Sequence, residues 1–305
     1  MPVGLCESVQ LLMTFCRRAV LPFRHILERA ARGGALIQRA ILAAAVAAIG
    51  LAGAASATDE TSGRWACGLP AGLTTLDGQL PHAAAALRDR HGLTIVAFGS
   101  SSTYGTGASG PAATYPSRLE AALGQQFPDA KLAVINRGVP GEVADDMMAR
   151  LERDVIAPAP DLVIWQTGTN DAMRDIPVEQ FARLTLDGIT RLREAGIDVV
   201  LMEPQYSPKL VRQPHYADFV EALRTIGHVT GTPLVRRFDM MEAWVANGRF
   251  DDATMLQSDA LHMRDASYAC LGQAVAEGLA EAIDDTEPPT GSLTGRLTAE
   301  VAPAK

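Results

Sequence analysis

Five short apolar runs, separated by segments with a helical period, set the strongest limit on what this chain can fold into. They occupy residues 93–98, 132–135, 162–165, 199–202 and 233–235. Each is close to continuously apolar rather than alternating, the pattern of strands buried on both faces. Between them, residues 115–127 place Leu119, Ala122 and Leu123 on one helical face, and residues 142–156 do the same with Val143, Met147, Leu151 and Val155. Further helical patterns cover 178–195, 216–229 and 266–283. Strands alternating with helices imply βαβ units, hence a parallel sheet under right-handed crossovers. The pattern predicts an α/β fold, a single three-layer α/β/α sandwich over residues 80–285. A loop-like lead covers 58–79. Residues 286–305 hold Pro, Gly, Thr and Ser without an apolar period and read as a mobile tail.

The first 57 residues are unlike the rest. Six Arg precede an apolar, Ala-rich run at 41–53, and Ala55-Ser56-Ala57 follows it. A basic stretch, a short apolar run and a small-x-small site together make a secretory signal. The run is shorter than the roughly 20 residues that span a bilayer. The reading is therefore a cleaved signal and an exported, periplasmic or extracellular product, with an uncleaved N-terminal membrane anchor as the alternative. Six of the 27 Lys and Arg and two of the 35 Asp and Glu lie in this segment, so the remainder carries 21 basic against 33 acidic residues. Such an acidic product has no attraction for phosphate backbones, and no basic patch is interleaved with aromatics. Nucleic acid is excluded as a partner on those grounds. Cys67 and Cys270 remain after removal of the segment. In an oxidising compartment they form a candidate disulfide; two buried thiols are the alternative.

In open parallel sheets ligands bind beyond the carboxyl ends of the strands, so the residues after each run carry the functional question. The first run continues Gly99-Ser100-Ser101-Ser102-Thr103-Tyr104-Gly105, small hydroxyl residues at a strand-to-loop turn with unpaired backbone N–H groups. An ordinary Gly/Ser turn is the bland alternative. The second run ends Asn136-Arg137-Gly138, where glycine allows close backbone approach to a ligand or serves a turn that needs positive φ. After the third run comes Gly168-Thr169-Asn170-Asp171; Asn170 is either a neutral side-chain donor or a helix cap. Near the C-terminus stands Asp259-Ala260-Leu261-His262. A carboxylate three residues before a histidine can hold its second ring nitrogen and fix the tautomer needed for proton abstraction.

Each signal is ordinary alone, but their joint order resembles the SGNH hydrolase superfamily, the GDSL-type esterases and lipases, over residues 94–279. Gly99-Ser100-Ser101-Ser102-Thr103 is similar to the family's Gly-Asp-Ser-x-Thr block, which implies Ser101 as nucleophile. Asn136-x-Gly138 and Gly168-Thr169-Asn170-Asp171 match the second and third blocks, and Asp259-x-x-His262 the last. The resemblance implies a catalytic triad of Ser101, His262 and Asp259, an oxyanion hole from Ser101, Gly138 and Asn170, and no metal or organic cofactor. It also implies a flavodoxin-like five-stranded parallel sheet in the order 2-1-3-4-5. Ser100 stands where the family has Asp, so the nucleophile loop must be held by other hydrogen bonds.

The activity so implied is carboxylic ester hydrolysis by a serine esterase. Residues 106–114 are small and Gly-rich and offer little apolar wall, which favours short acyl groups such as O-acetyl on carbohydrate. The partner is then a small-molecule or carbohydrate ester. Residues 203–216 supply Tyr206 and Arg212, with Lys209 and His215, as candidates for a substrate rim, against the reading of a solvated connection. An acyltransferase using the same site, a lysophospholipase or lipase specificity, and a non-catalytic carbohydrate-binding module are the alternatives. Gly105-x-Gly107-x-x-Gly110 formally matches a dinucleotide fingerprint, but Pro111 follows it and no acidic residue ends the next strand. Neither His-Glu-x-x-His nor a Cys/His cluster suggests a metal.

Overall fold

The computed structural model describes residues 66–70 and 72–286. The signal segment, the start of the lead and the tail beyond residue 286 lie outside them. In chain order the elements are α1 (Pro81–Arg90), β1 (Gly92–Gly99), α2 (Ser101–Tyr104), α3 (Tyr115–Gln126), β2 (Lys131–Gly138), α4 (Ala144–Leu151), β3 (Leu162–Gln166), α5 (Thr169–Met173), α6 (Val178–Glu194), β4 (Asp198–Met202), α7 (Tyr216–Thr230), β5 (Leu234–Val235), α8 (Arg237–Ala246), α9 (Asp252–Met255) and α10 (Asp265–Asp284). Short 3-10 turns occupy Ala66–Gly68 and Pro111–Ala113, and a π-helical turn, Glu152–Ile156, continues α4. All five strands pair in parallel, in the order β2-β1-β3-β4-β5.

Because side chains alternate across a strand, the sheet feeds two separate cores. Leu93, Ile95 and Ala97 of β1, with Ile164 and Val200, pack against Ala83 of α1, Leu119 of α3, Met241 of α8 and Leu271 of α10. Val96 and Phe98, with Val163, Trp165 and Leu201, pack against Met147 of α4, Phe181 and Ile189 of α6, and Phe219 of α7. Burying one such large side chain is worth roughly 1.5–3 kcal/mol, so the two helical layers together hold the sheet. Burial on both faces holds for β3 and β4 throughout. It fails for β2, whose residues are half-buried or exposed. That strand lies at the sheet edge, where neighbouring structure covers it only in part.

Besides the short α2, α5 and α9, two longer helices have no counterpart among the sequence patterns. The first is α1, whose buried face is made of Ala83, Ala84 and Ala86 and so lacks the bulky apolar period. Asp198, at the start of β4, accepts a hydrogen bond from the Ala83 N–H at 2.9 Å and supplies the cap that Leu80 cannot. The second is α8, which follows β5 almost directly and begins with the buried Arg237.

Cys67 is joined to Cys270 of α10, with Cα atoms 5.6 Å apart and a sequence separation of 203. Closing so long a loop restricts the unfolded chain, and such a cross-link contributes typically 2–4 kcal/mol. Reduction, or Cys270→Ser, is expected to lower the unfolding free energy by about that amount in urea titrations. A midpoint unchanged by reductant would show that the link contributes nothing.

Candidate active site

Strand register brings the site together. Gly99 of β1 pairs with Gly138 of β2, and Phe98 with Trp165 of β3, so the carboxyl ends of these strands lie level. The loops leaving them therefore emerge side by side. Gly138 is the closest point of approach. A Cβ there would overlap the backbone of Thr103 and Tyr104. Its φ is not positive, so the glycine is required by packing against α2 rather than by a turn.

Ser101 opens α2, and as its first residue has no intrahelical partner for its N–H. The three adjacent serines point to three different places. Ser101 Oγ lies 3.0 Å from His262 Nε2. Ser100 Oγ is 3.2 Å from Gln166 Oε1, and Ser102 Oγ is 3.1 Å from Gln205 Oε1; both hydroxyls are buried.

His262 lies on a tight turn before α10. Its Nδ1 is 2.6 Å from Asp259 Oδ2, while Asp259 Oδ1 accepts the backbone N–H groups of Leu261 (2.9 Å) and His262 (3.0 Å). Burial pushes the Asp259 carboxyl up, but the bonds from the His262 N–H, the imidazole and the Leu261 N–H outweigh it. They hold the group below the ordinary carboxylate value. An ionised Asp259 accepts only, so Nδ1 carries the proton and Nε2 presents its lone pair to Ser101. Ala260, at φ 55, sits in the left-handed region, the cost of a turn this tight.

Asn170, in α5, donates one amide N–H to Glu142 O at 2.8 Å and keeps a second donor. The Gly138 N–H is already engaged by Asn136 Oδ1 at 2.9 Å, and Asn136 Nδ2 donates in turn to Thr103 O at 2.8 Å. Gly138 therefore offers its N–H only by sharing or exchanging that acceptor.

The hydrogen bonds that stand in for the family's aspartate come from a residue the sequence patterns did not single out. Gln166, fully buried at the end of β3, accepts through Oε1 from Ser100 N (3.0 Å), Ser100 Oγ and Thr103 Oγ1 (3.1 Å). Arg150, stacked on Phe98 at 4.4 Å and paired with Glu142 at 2.6 Å, donates to Gly99 O at 3.1 Å. The one available signal was position: a glutamine directly after a buried apolar run.

The rim candidates separate. Lys209 Nζ reaches Asp259 O at 3.3 Å. Tyr206 packs edge-on against Phe238, 5.5 Å between ring centres, and joins the core. Arg212 is exposed, and His215 pairs with Asp218 at 2.9 Å beside the start of α7. The loop 106–114 is tied to the C-terminal region by Gln257 Nε2 to Gly107 O (2.5 Å), Tyr268 Oη to Thr106 O (2.8 Å) and Ser109 N to Asp265 Oδ1 (2.8 Å).

A profile of the non-GDSL lipase-like family matches residues 66–285, nearly all of the described chain. The chain belongs to this family. Ser100, in place of the aspartate of the Gly-Asp-Ser pattern, accords with that description. Two relatives are similar over part of their length. An acetylxylan esterase of Geobacillus stearothermophilus is 33% identical over 126 residues, 38% of this chain and 58% of that protein. An arylesterase of Vibrio mimicus is 30% identical over 95 residues, 31% of this chain and 46% of that protein. The chain thus spans about half the length of the curated relatives it matches. Among solved structures, a two-domain esterase active on acetylated mannans superposes with a TM-score of 0.59 at 22% identity, covering 71% of this chain and 58% of that one. That likeness is one of fold.

Replacing Gln166 by leucine strands three buried donors. Each costs about 1–3 kcal/mol when left unpaired. Gln166→Leu is expected to lower the thermal midpoint clearly, whereas Gln166→Glu, which keeps the acceptor, should lower it less. Equal midpoints for the two variants would remove Gln166 from its place as anchor of the loop.

Proposed function

We propose that this chain is a serine esterase that hydrolyses carboxylic esters, with Ser101 as nucleophile, His262 as general base and Asp259 as its orienting partner. The observation that carries this reading is the unbroken line of contacts from Asp259 Oδ2 through the imidazole to Ser101 Oγ, at 2.6 and 3.0 Å. Ser101 Oγ attacks the ester carbonyl as His262 Nε2 takes its proton. The negative oxygen is stabilised by the Ser101 N–H, by the second amide N–H of Asn170 and by the Gly138 N–H as it leaves Asn136. Protonated His262 returns the proton to the departing alkoxide, leaving an acyl-serine and an alcohol. Water then repeats the sequence with His262 as base and releases the acid. The Asp259 carboxylate holds the proton on Nδ1 of His262 throughout, so Nε2 is the nitrogen that takes up and returns the proton.

The substrate class we propose is a short acyl ester, in particular O-acetyl on carbohydrate. The small residues of 106–114 support it, as do the names of the acetylxylan and acetylated-mannan esterases. Tyr104, three residues past the nucleophile and 57% exposed, adds an aromatic face of the kind that can stack on a sugar ring.

Chromogenic esters of increasing acyl length, assayed with wild type, Ser101→Ala and Asn170→Ala, test the reading. Acetyl esters should give the highest kcat/KM, and Ser101→Ala should fall to background. Asn170→Ala, folded by circular dichroism, should lose about 10²–10³ in kcat, the cost of one oxyanion donor. Turnover retained in Ser101→Ala rejects the site.

We also propose export, supported by the basic-apolar-small order of residues 1–57 and by the Cys67–Cys270 link. Among the described residues no helix is long and apolar enough to cross a membrane. N-terminal sequencing of the protein recovered outside the cytoplasm should read from Thr58; recovery only as a full-length cytoplasmic chain would refute export.

A further inference from the structure

We infer that Gln205 is a positioning residue that holds the nucleophile, oxyanion and base segments in one geometry, an inference that rests on the esterase reading above. Gln205 lies three residues beyond β4 and is 2% exposed. Its Oε1 accepts from Ser102 Oγ at 3.1 Å, Thr169 Oγ1 at 3.4 Å and Arg237 Nη2 at 3.0 Å. Its Nε2 donates to Leu261 O at 3.1 Å. Ser102, Thr169 and Leu261 are the chain neighbours of Ser101, Asn170 and His262. One amide thus touches the residue beside each of three separately encoded site groups, and none of the reacting atoms.

The chemistry requires an amide at this point. Leu261 O needs a donor, while the two hydroxyls and the guanidinium need an acceptor, and only Asn and Gln present both on one planar group. Arg237 fixes which way the amide faces, because a guanidinium donates only. Arg237 is itself fully buried and held by Nε to Glu203 O at 2.9 Å. Glu203 in turn pairs with Arg224 at 2.6 Å and accepts the Phe238 N–H at 3.1 Å. The Gln205 backbone is pinned as well, its carbonyl accepting from Tyr216 Oη at 2.5 Å. A side chain clamped in this way transmits the position of β4 and α8 to three loops that leave other elements.

Acetyl ester hydrolysis by wild type, Gln205→Leu, Gln205→Glu and Ser101→Ala tests the assignment, with circular dichroism and melting recorded for each. Misplacement of about 1 Å costs on the order of 100-fold in rate, so Gln205→Leu is expected to lose about 100-fold in kcat with KM within about threefold of wild type. Gln205→Glu keeps the acceptor for Ser102, Thr169 and Arg237 but replaces the donor to Leu261 O by an oxygen, and should recover about tenfold of that loss. A kcat for Gln205→Leu within about threefold of wild type overturns the inference, as do equal losses in both variants that follow their melting temperatures. Should Gln205→Leu fail to fold, Ser102→Ala with Thr169→Val removes two of the amide's partners; at least about tenfold loss of kcat is expected, and an unchanged kcat overturns the inference. Activity in Ser101→Ala would instead reject the esterase reading itself, whatever Gln205 does.

Discussion

The level ends of three parallel strands are the constraint on which the site depends. With Gly99 opposite Gly138, and Gln166 directly after the Phe98–Trp165 pair, the departing loops start within hydrogen-bond reach of one another. A register shift of one residue would turn each strand's side chains to the opposite face. Phe98 and Trp165 would then exchange cores with Ala97 and Ile164, at a cost far beyond any loop energy. The hydrophobic pattern of the sheet thereby fixes where polar groups meet, several residues outside the core itself.

What the strands set coarsely, buried polar side chains set finely. Gln166 fastens the nucleophile loop, Arg150 fastens the end of β1 and the segment bearing Glu142, and Asp259 fastens the turn of His262. Each makes several bonds from one place, and Gln166 and Arg150 are buried, so an unpaired atom at either is costly. The loops are consequently held from beneath by polar side chains as well as by contacts with each other, such as Asn170 to Glu142 O.

Most of the architecture was legible in the sequence because near-continuous apolar runs and 3.6-residue periods leave few alternatives. The sheet order was legible only through family resemblance, since periodicity says nothing about which strands are neighbours. The helix Pro81–Arg90 escaped notice because alanine buries well without standing out from an alanine-rich background. The second strand was read as fully buried because an edge strand and a central one share the same apolar content. At the site, Ser101, Gly138, Asn170, Asp259 and His262 were singled out through the family resemblance, their local spacing alone leaving ordinary turns and caps open. Gln166, Gln205, Arg150 and Arg237 were not. Their partners lie up to 103 residues away, as for Gln205 and Ser102, and a lone polar residue beside a strand has no local signature of a distant bond.

The link from Cys67 to Cys270 has a topological consequence. It joins the two ends of the described fold into a covalent ring that encloses the sheet and the site. A single backbone cleavage anywhere between those cysteines opens the ring without dividing the molecule, so both fragments stay tethered and able to re-pair. Under oxidising conditions such a nicked chain migrates as one species, and it separates into two only when the sulfurs are parted.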